Sequence, residues 1–352
     1  MKYKNLGLSN LKVSEVCLGA MTFGEEFGIG APEAESRQVY ETFLEAGGNF
    51  IDTANMYNRG TSERMLANFI KENRDYVVLA SKYSLSTQSA DPNSGGNQRK
   101  NLVQSLEASL RRLETDYLDL YWVHAWDGST PLPELMRALD DQVRSGKILH
   151  IGVSNAPAWV ISAANTLAAE RNMTPFTAMQ LHYNLLERSI EREYFALAEA
   201  QDMAITAWSP LASGFLSGKF NPGTDDAARQ GARLTTSPRA AQLLQPDKIA
   251  IAEALTELAT EIGCTSAQLA LAWMAQRSTS CVIPIIGARS ANQLRENLSC
   301  VDVRLQPGQI AQLDELTALE AEYPQALFAS DFFQTMMFGE LRDSIDVPRR
   351  KS

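Results

Sequence analysis

Eight short apolar runs, each separated from the next by polar or helically periodic sequence, constrain this chain more than any other feature. They are VCLG (16–19), NFID (49–52), VVLASK (77–82), LDLYWVH (118–124), HIGVS (150–154), TAMQLH (177–182), ITAWSP (205–210) and CVIPIIG (281–287). Each is nearly continuous in apolar character, as expected of a strand buried on both faces of a parallel sheet. The stretch 33–46 carries Val39, Phe43 and Leu44 on one face and stops at Gly47-Gly48. Residues 99–113 set Leu102, Leu106, Leu110 and Leu113 at helical spacing, and 131–147 runs from Pro131 to Gly146, a start and a stop signal. Further helices are expected from near Ser62 and over 157–170, 190–201, 247–262, 265–277 and 291–300.

Eight strands alternating with helices admit a closed barrel or an open doubly wound sheet. The first strand-to-helix loop reads GAMTFGEEFGIG and lacks the GxGxxG spacing of a dinucleotide-binding sheet, and no P-loop follows. The expected fold is therefore α/β, a (β/α)8 TIM barrel, preceded by a short β-hairpin within the first fifteen residues. Such a barrel takes about 250 residues, so the 352 residues read as a single domain over 1–352 with insertions. The insertions are a polar loop at 84–98, a long loop after the seventh strand at 212–246, and a tail at 320–352 with Phe328, Phe332, Phe333 and Phe338. Long loops in compact domains are mostly functional or disordered. The tail suits a pocket wall or a docking segment equally well.

A net charge of −10 argues against nucleic acid as a partner, since phosphate backbones select basic faces. Cys17, Cys264, Cys281 and Cys300 form no CxxC pair and there are three histidines, so neither a zinc site nor a disulfide framework is expected. The N-terminal segment has no apolar leader and no run approaches the length of a membrane span. The expectation is a cytoplasmic protein without a membrane partner, with self-association left open.

Three polar residues end successive strands: Asp52, Lys82 and His124. Taken singly, a loop cap, a surface lysine and a core histidine explain them. Together, in a barrel, they share the C-terminal rim where active sites are built. Tyr57 follows Asp52 by five residues and can reach over that rim. A carbonyl accepting hydride develops negative charge on oxygen and needs a proton. A phenol has a pKa near 10, which a neighbouring ammonium lowers. Lys82 would supply the ammonium, Asp52 the carboxylate that keeps it charged, and His124 a hydrogen bond to the substrate oxygen.

These residues lie in segments that resemble the aldo-keto reductase superfamily, in its aryl-alcohol dehydrogenase-like and potassium-channel β-subunit-like branch. The segments are LGAMTFG (18–24), DTANMYNRGTSE (52–63), ASKYS (80–84), DLYWVHAWD (119–127), GKILHIGVSN (146–155), MQLHYNLLER (179–188), WSPLASGFLSGKF (208–220) and PIIGARSANQLREN (284–297). The resemblance implies that Asp52, Tyr57, Lys82 and His124 are the catalytic group of an NADP(H)-dependent oxidoreductase acting on a small carbonyl or alcohol. It implies a cofactor site of Met21 and Asp52, of Ser154, Asn155 and Gln180 at the carboxamide, and of Trp208 on the nicotinamide ring. Ser209, Pro210, Leu211, Ser213, Gly214 and Lys219 would cover the pyrophosphate, and Gly287, Arg289, Gln293, Glu296 and Asn297 the adenosine end. Arg289, beside a helix N-terminus, can fork onto a phosphate, which favours NADP over NAD. Phe23, Met56, Tyr57 and Trp126 are candidate substrate-pocket walls, suited to an aromatic or alicyclic carbonyl. NMYNRGTSE departs from relatives with a smaller Gly-rich loop after the tyrosine. Two other classes remain open: a nucleotide-binding regulatory subunit with little turnover, and a cofactor-free barrel lyase or isomerase.

Overall fold

The structure, a computed structural model, describes residues 1–225, 229, 232–236, 240–277 and 281–345. An antiparallel hairpin, β1 (Tyr3–Asn5) and β2 (Lys12–Ser14), precedes eight parallel strands. These are β3 (Cys17–Gly19), β4 (Phe50–Asp52), β5 (Val78–Tyr83), β6 (Leu118–Val123), β7 (Ile148–Ser154), β8 (Phe176–His182), β9 (Ala204–Trp208) and β10 (Val282–Ile286). They pair in chain order, and β10 closes onto β3. Each expected run carries one strand, with ends shifted by a residue or two.

Helices follow the strands and cover the barrel. Arg99–Leu113 shows why the sequence folds this way: Leu102, Leu106, Leu110 and Leu113 form its buried stripe, and the Gln98 side chain caps it by accepting from the Asn101 amide. Ser266–Ala275 begins with a capping box between Thr265 and Gln268. The expected helix over 190–201 is broken. It starts as a 3-10 turn, Ser189–Arg192, and resumes as Tyr194–Ala200.

Period-two alternation decides what faces the barrel interior. Leu79 and Tyr83 of β5 and Tyr121 and Val123 of β6 join the cluster beneath the helices, whereas Val78, Ala80, Leu120 and Trp122 join a separate inner cluster. Phe50 and Cys17 belong to the inner cluster too. The same alternation sets Asp52 two residues above Phe50, Lys82 above Ala80 and His124 above Trp122. The polar group is the layer capping an apolar stack. Gly152 makes room for that stack, because a Cβ there would lie 2.3 Å from the Trp122 ring.

The hairpin closes the opposite end. Leu6 and Val13 are fully buried in the inner cluster. Gly7, at φ +56°, lets the turn approach the strand ends, since a Cβ would lie 2.2 Å from the Thr177 carbonyl oxygen.

The loops after β5 and β6 are tied together at the top. Asn97 and Asp127 exchange hydrogen bonds, Asn97 N to Asp127 Oδ2 at 2.7 Å and Asp127 N to Asn97 Oδ1 at 2.8 Å. The long insertion after β9 contains 3-10 turns Ala212–Ser217 and Arg233–Thr236 and a short helix Ala240–Leu243. Its residues 226–228, 230–231 and 237–239 lie outside the described residues. A helix at Pro307–Leu316, absent from the sequence reading, docks through Trp273 Nε1 donating to Asp314 at 3.0 Å. The tail continues as Gln325–Ala329 and Asp331–Phe338, with Phe328, Phe332 and Phe338 exposed. Residues 346–352 lie outside the described residues.

Candidate active site

Lys82 is fully buried at the end of β5, and its ammonium has three acceptors. It donates to the Asp52 carboxylate, to the Thr53 carbonyl at 2.7 Å, and to the Tyr57 hydroxyl at 3.2 Å. The other Asp52 oxygen accepts from Gln180 Nε2 at 3.0 Å, a bond that crosses the barrel from β8. The His124 ring stands edge-on to Tyr57, with centroids 5.8 Å apart. Asp52, Tyr57, Lys82 and His124 are thus one contiguous cluster. It is held by the ends of β4, β5 and β6 and by the loop after β4.

Burial and charge set its protonation. Burial opposes the Lys82 charge, but Asp52 and Tyr57 outweigh it and hold the lysine above its ordinary pKa. It is an ammonium at neutral pH. Burial raises the Tyr57 hydroxyl more than Lys82, and further off Arg233, lower it. The expected net lowering of the phenol is therefore absent: the ammonium pulls in the anticipated direction, but desolvation wins. His124 is pushed down to about 3 by burial and then by the Lys82 charge, so its ring is neutral. Its Nδ1 is buried with no hydrogen-bond partner among the described residues. The backbone N–H of His124 donates to Tyr83 and its carbonyl accepts from Asn155 Nδ2 at 2.9 Å, which fixes the residue at the rim.

A cavity of about 500 Å³ opens over this cluster. Met21, Asp52, Met56, Tyr57, His124, Ser154, Asn155, Gln180, Trp208, Ser209, Ser213 and Gly287, each named from sequence, line it. Trp208 stacks on His182 with centroids 4.1 Å apart, which fixes the indole at the end of β9. A smaller cavity of about 190 Å³ continues the groove outward and shares Ser209, Ser213, Gly287 and Arg233 with the first. It is walled by Pro210, Leu211, Gly214, Lys219, Arg289, Gln293, Glu296 and Asn297. It ends at the N-terminus of the helix Ala291–Leu298, which Ser290 caps.

Two sequence-named pocket residues are elsewhere. Phe23 is fully buried and packs edge-on against Phe69 at 5.9 Å, because the loop after β3 turns it into the helical layer. Trp126 packs against the helix-side core and does not line the cavity. Phe27, Leu85 and Ile285 take the wall positions instead. Arg233, missed from sequence among the arginines of the 212–246 loop, lines both cavities. No sequence spacing singles it out, because its place depends on how that loop folds back. The tail phenylalanines line neither cavity.

This arrangement can hand a proton to a substrate oxygen from a phenol that rests on a buried ammonium–carboxylate pair, with a neutral imidazole alongside. Among the described residues no three His, Cys, Asp or Glu side chains gather into a metal site, and no helix is long and apolar enough to cross a membrane.

The sequence pattern of the aldo/keto reductase family matches residues 15–318. The chain is similar to an aryl-alcohol dehydrogenase [NADP(+)] of Phanerodontia chrysosporium, 35% identical over 90% of this chain and 86% of that protein. It is similar to a norsolorinic acid reductase of Emericella nidulans, 34% identical over 92% of this chain and 83% of that protein. A norsolorinic acid reductase of Aspergillus flavus is 32% identical over 90% of this chain and 81% of its own length. With the closed barrel and its polar rim, these matches establish that the chain belongs to the aldo/keto reductase family, oxidoreductases that interconvert carbonyl and alcohol groups.

Proposed function

We propose that this chain, acting as one catalytic unit over residues 1–352, is an NADP(H)-dependent carbonyl reductase that also runs as an alcohol dehydrogenase. The observation that carries the reading is the hydrogen-bonded run Asp52–Lys82–Tyr57, with His124 beside the phenol, at the head of a groove that leads to Arg289.

The groove's residues suit a dinucleotide. Gly214, at φ +89°, has nothing within 4 Å of where a Cβ would stand, so backbone faces open space in the middle section. Ser209, Ala212 and Ser213 share the left-handed region, which turns successive N–H groups along the loop. Arg289 and Lys219 supply cations at the far end, next to a helix N-terminus. Arg289 can take a terminal phosphate in a forked geometry, the reason for preferring NADP(H). The Phanerodontia relative, named as an NADP(+) enzyme, agrees with this preference. Ser154 and Asn155 stand at the inner end beside Trp208.

The nicotinamide, when bound, supplies or accepts hydride. The chain's own residues manage the proton and the charge. In reduction, Tyr57 Oη passes its proton to the carbonyl oxygen. Lys82, 3.2 Å away, stabilises the phenolate left behind, and Asp52 keeps that lysine charged inside the barrel. His124, neutral, offers a ring N–H to the substrate oxygen without competing for the proton. In oxidation the phenolate takes the alcohol proton, and Lys82 makes that phenolate attainable.

The test is a panel of aromatic and alicyclic aldehydes and ketones with NADPH and with NADH, followed by loss of reduced-nicotinamide absorbance. Turnover with NADPH, at a KM at least about tenfold below that for NADH, is the expected result. Tight nucleotide binding without turnover on any carbonyl would overturn the catalytic reading.

A further inference from the structure

A separate cavity of about 240 Å³ shares Ser209 and Ser213 with the reaction cavity. Trp208 lines the reaction cavity and not this one, whereas His182 lines this one and not the reaction cavity. The two rings are stacked, with centroids 4.1 Å apart and planes 12° from parallel. The pair is a partition, with indole on one side and imidazole on the other. The proposed reaction does not use His182.

The strands dictate the pairing. His182 and Trp208 are register partners at the C-terminal ends of β8 and β9, so their side chains leave the sheet side by side on one face. The imidazole is held in turn by the buried Asn184. Asn184 Nδ2 donates to His182 Nε2 at 3.3 Å and to the Ser209 carbonyl at 3.0 Å, while its Oδ1 accepts from Leu186 N at 2.9 Å. Asn184 and Glu187 also exchange backbone hydrogen bonds, so the support is a closed turn. One short segment therefore fixes both the ring behind Trp208 and the first residue of the groove loop.

What this brace does follows from space. Without the imidazole, its volume joins the cavity behind it, and the indole gains room to fall back from the reaction cavity. A stacked aromatic pair is worth more than its buried area alone. With one face on His182, the indole offers a ligand only its other face and its edge. An indole already held in one plane receives a flat ring without losing further side-chain freedom.

We propose that His182 is a positioning residue for the redox end of the cofactor. It separates the two cavities, holds the Trp208 plane from behind, and so sets the affinity for the nicotinamide ring while leaving the rest of the nucleotide untouched. Its flat ring does this, and the polar contact with Asn184 only orients that ring. The inference rests on the nicotinamide-dependent reading of the groove, with Trp208 as the ring's platform.

The experiment titrates NADP+ and 2′-phospho-ADP-ribose, the same nucleotide without its nicotinamide ring, into the wild type, His182→Phe, His182→Gln and His182→Ala by calorimetry. Phe keeps a flat ring, and the cavity behind gives its added bulk room. Gln keeps a polar group for Asn184 and has no ring. The NADP+ dissociation constant should stay within about twofold of wild type in His182→Phe and rise about five- to tenfold in His182→Gln and His182→Ala. The ring-free nucleotide should bind all four proteins within about twofold, which also shows that the groove is folded. Near-UV circular dichroism of the nucleotide-free proteins gives a second readout. The Trp208 contribution, taken as the difference from Trp208→Phe in each background, should persist in His182→Phe and collapse in the other two. If His182→Ala fails to fold, Phe against Gln carries the comparison. Equal NADP+ affinity in all the proteins, a loss shared equally by both nucleotides, a His182→Gln that binds like wild type, or a His182→Phe as weak as His182→Ala overturns the inference. Any of those results alongside NADPH-dependent carbonyl reduction leaves the reductase reading standing and the brace fallen. The expected ordering without turnover on any carbonyl does the reverse. A wild type that neither binds NADP+ nor reduces a carbonyl overturns both.

Discussion

The two ends of the barrel are built from the same eight strands and do opposite things. At the closed end, Leu6 and Val13 of the hairpin seal a stack of Cys17, Phe50, Val78, Ala80, Leu120 and Trp122, and the buried Asn49 side chain is satisfied by the hairpin backbone, accepting from Ser14 N and donating to the Lys12 carbonyl. At the open end, two residues further along β4 and β5, the stack gives way to Asp52 and to a fully buried Lys82. A buried ion pair is weak as a source of stability, because desolvation offsets attraction. The pair is held there because neighbouring strands, and Gln180 across the barrel, leave the two charges only each other, the Thr53 carbonyl and Tyr57. The lower layers are apolar packing; the top layer holds a buried ion pair directly beneath the Tyr57 hydroxyl that lines the cavity.

This contrast can be broken at either end. The largest effect is expected from Lys82→Met. It leaves Asp52 buried with its cation gone, so stability should fall by about 3–5 kcal/mol. Turnover should also drop by about 10²–10³, through loss of phenolate stabilisation. Denaturant unfolding and steady-state kinetics read both, and a stable, active Lys82→Met would mean the ammonium is structural ornament. Leu6→Ala, at the sealed end, should cost about 2–5 kcal/mol by opening a cavity. Its kcat at a temperature where the variant is folded should stay within about twofold of wild type. A large kcat loss there would show that the two ends are not separable.

The smallest effects concern pH. Because burial raises the Tyr57 pKa above its ordinary value near 10, the phenol stays protonated through the neutral range. Carbonyl reduction should therefore be flat from about pH 6 to 9. Alcohol oxidation, which needs the phenolate, should keep rising with pH across that window. His124 titrates near 3 when folded and near 6.5 when unfolded, so the unfolded chain binds more protons in between. Its contribution to stability is fully present above about pH 6.5 and is lost as pH falls toward 3, at up to about 1.4 kcal/mol per unit. His124→Gln should flatten that part of the stability profile. An unchanged slope would place the acid sensitivity in other groups.

How much of this was readable beforehand follows from what each feature depends on. The strands were legible because burial on both faces writes itself as short apolar runs, and three polar residues ending such runs marked the rim. The groove residues came through resemblance, and all of those named line one cavity or the other. Features set by tertiary contact were not legible. Phe23 and Phe27 are four residues apart in one loop, and only the fold of that loop sends the first into the core and the second to the wall. The hairpin's sealing role requires Gly7 to meet the strand ends, which local sequence cannot state. Gln180 was read as a cofactor residue. Its bond to Asp52 spans the barrel and has no sequence signature. The helix Pro307–Leu316 did carry a signal, Pro307 at its start with Ile310 and Leu313 on one face, but it lay beyond the repeating strand–helix rhythm.

The central claim is that the phenol at the barrel mouth is the proton donor. Tyr57→Phe removes one hydroxyl and leaves Lys82, Asp52 and the groove in place. With NADPH and benzaldehyde, kcat/KM should fall by about 10²–10⁴. The NADPH dissociation constant, read from quenching of tryptophan fluorescence, should stay within about twofold. A Tyr57→Phe protein that reduces several carbonyls at wild-type rates would contradict the account.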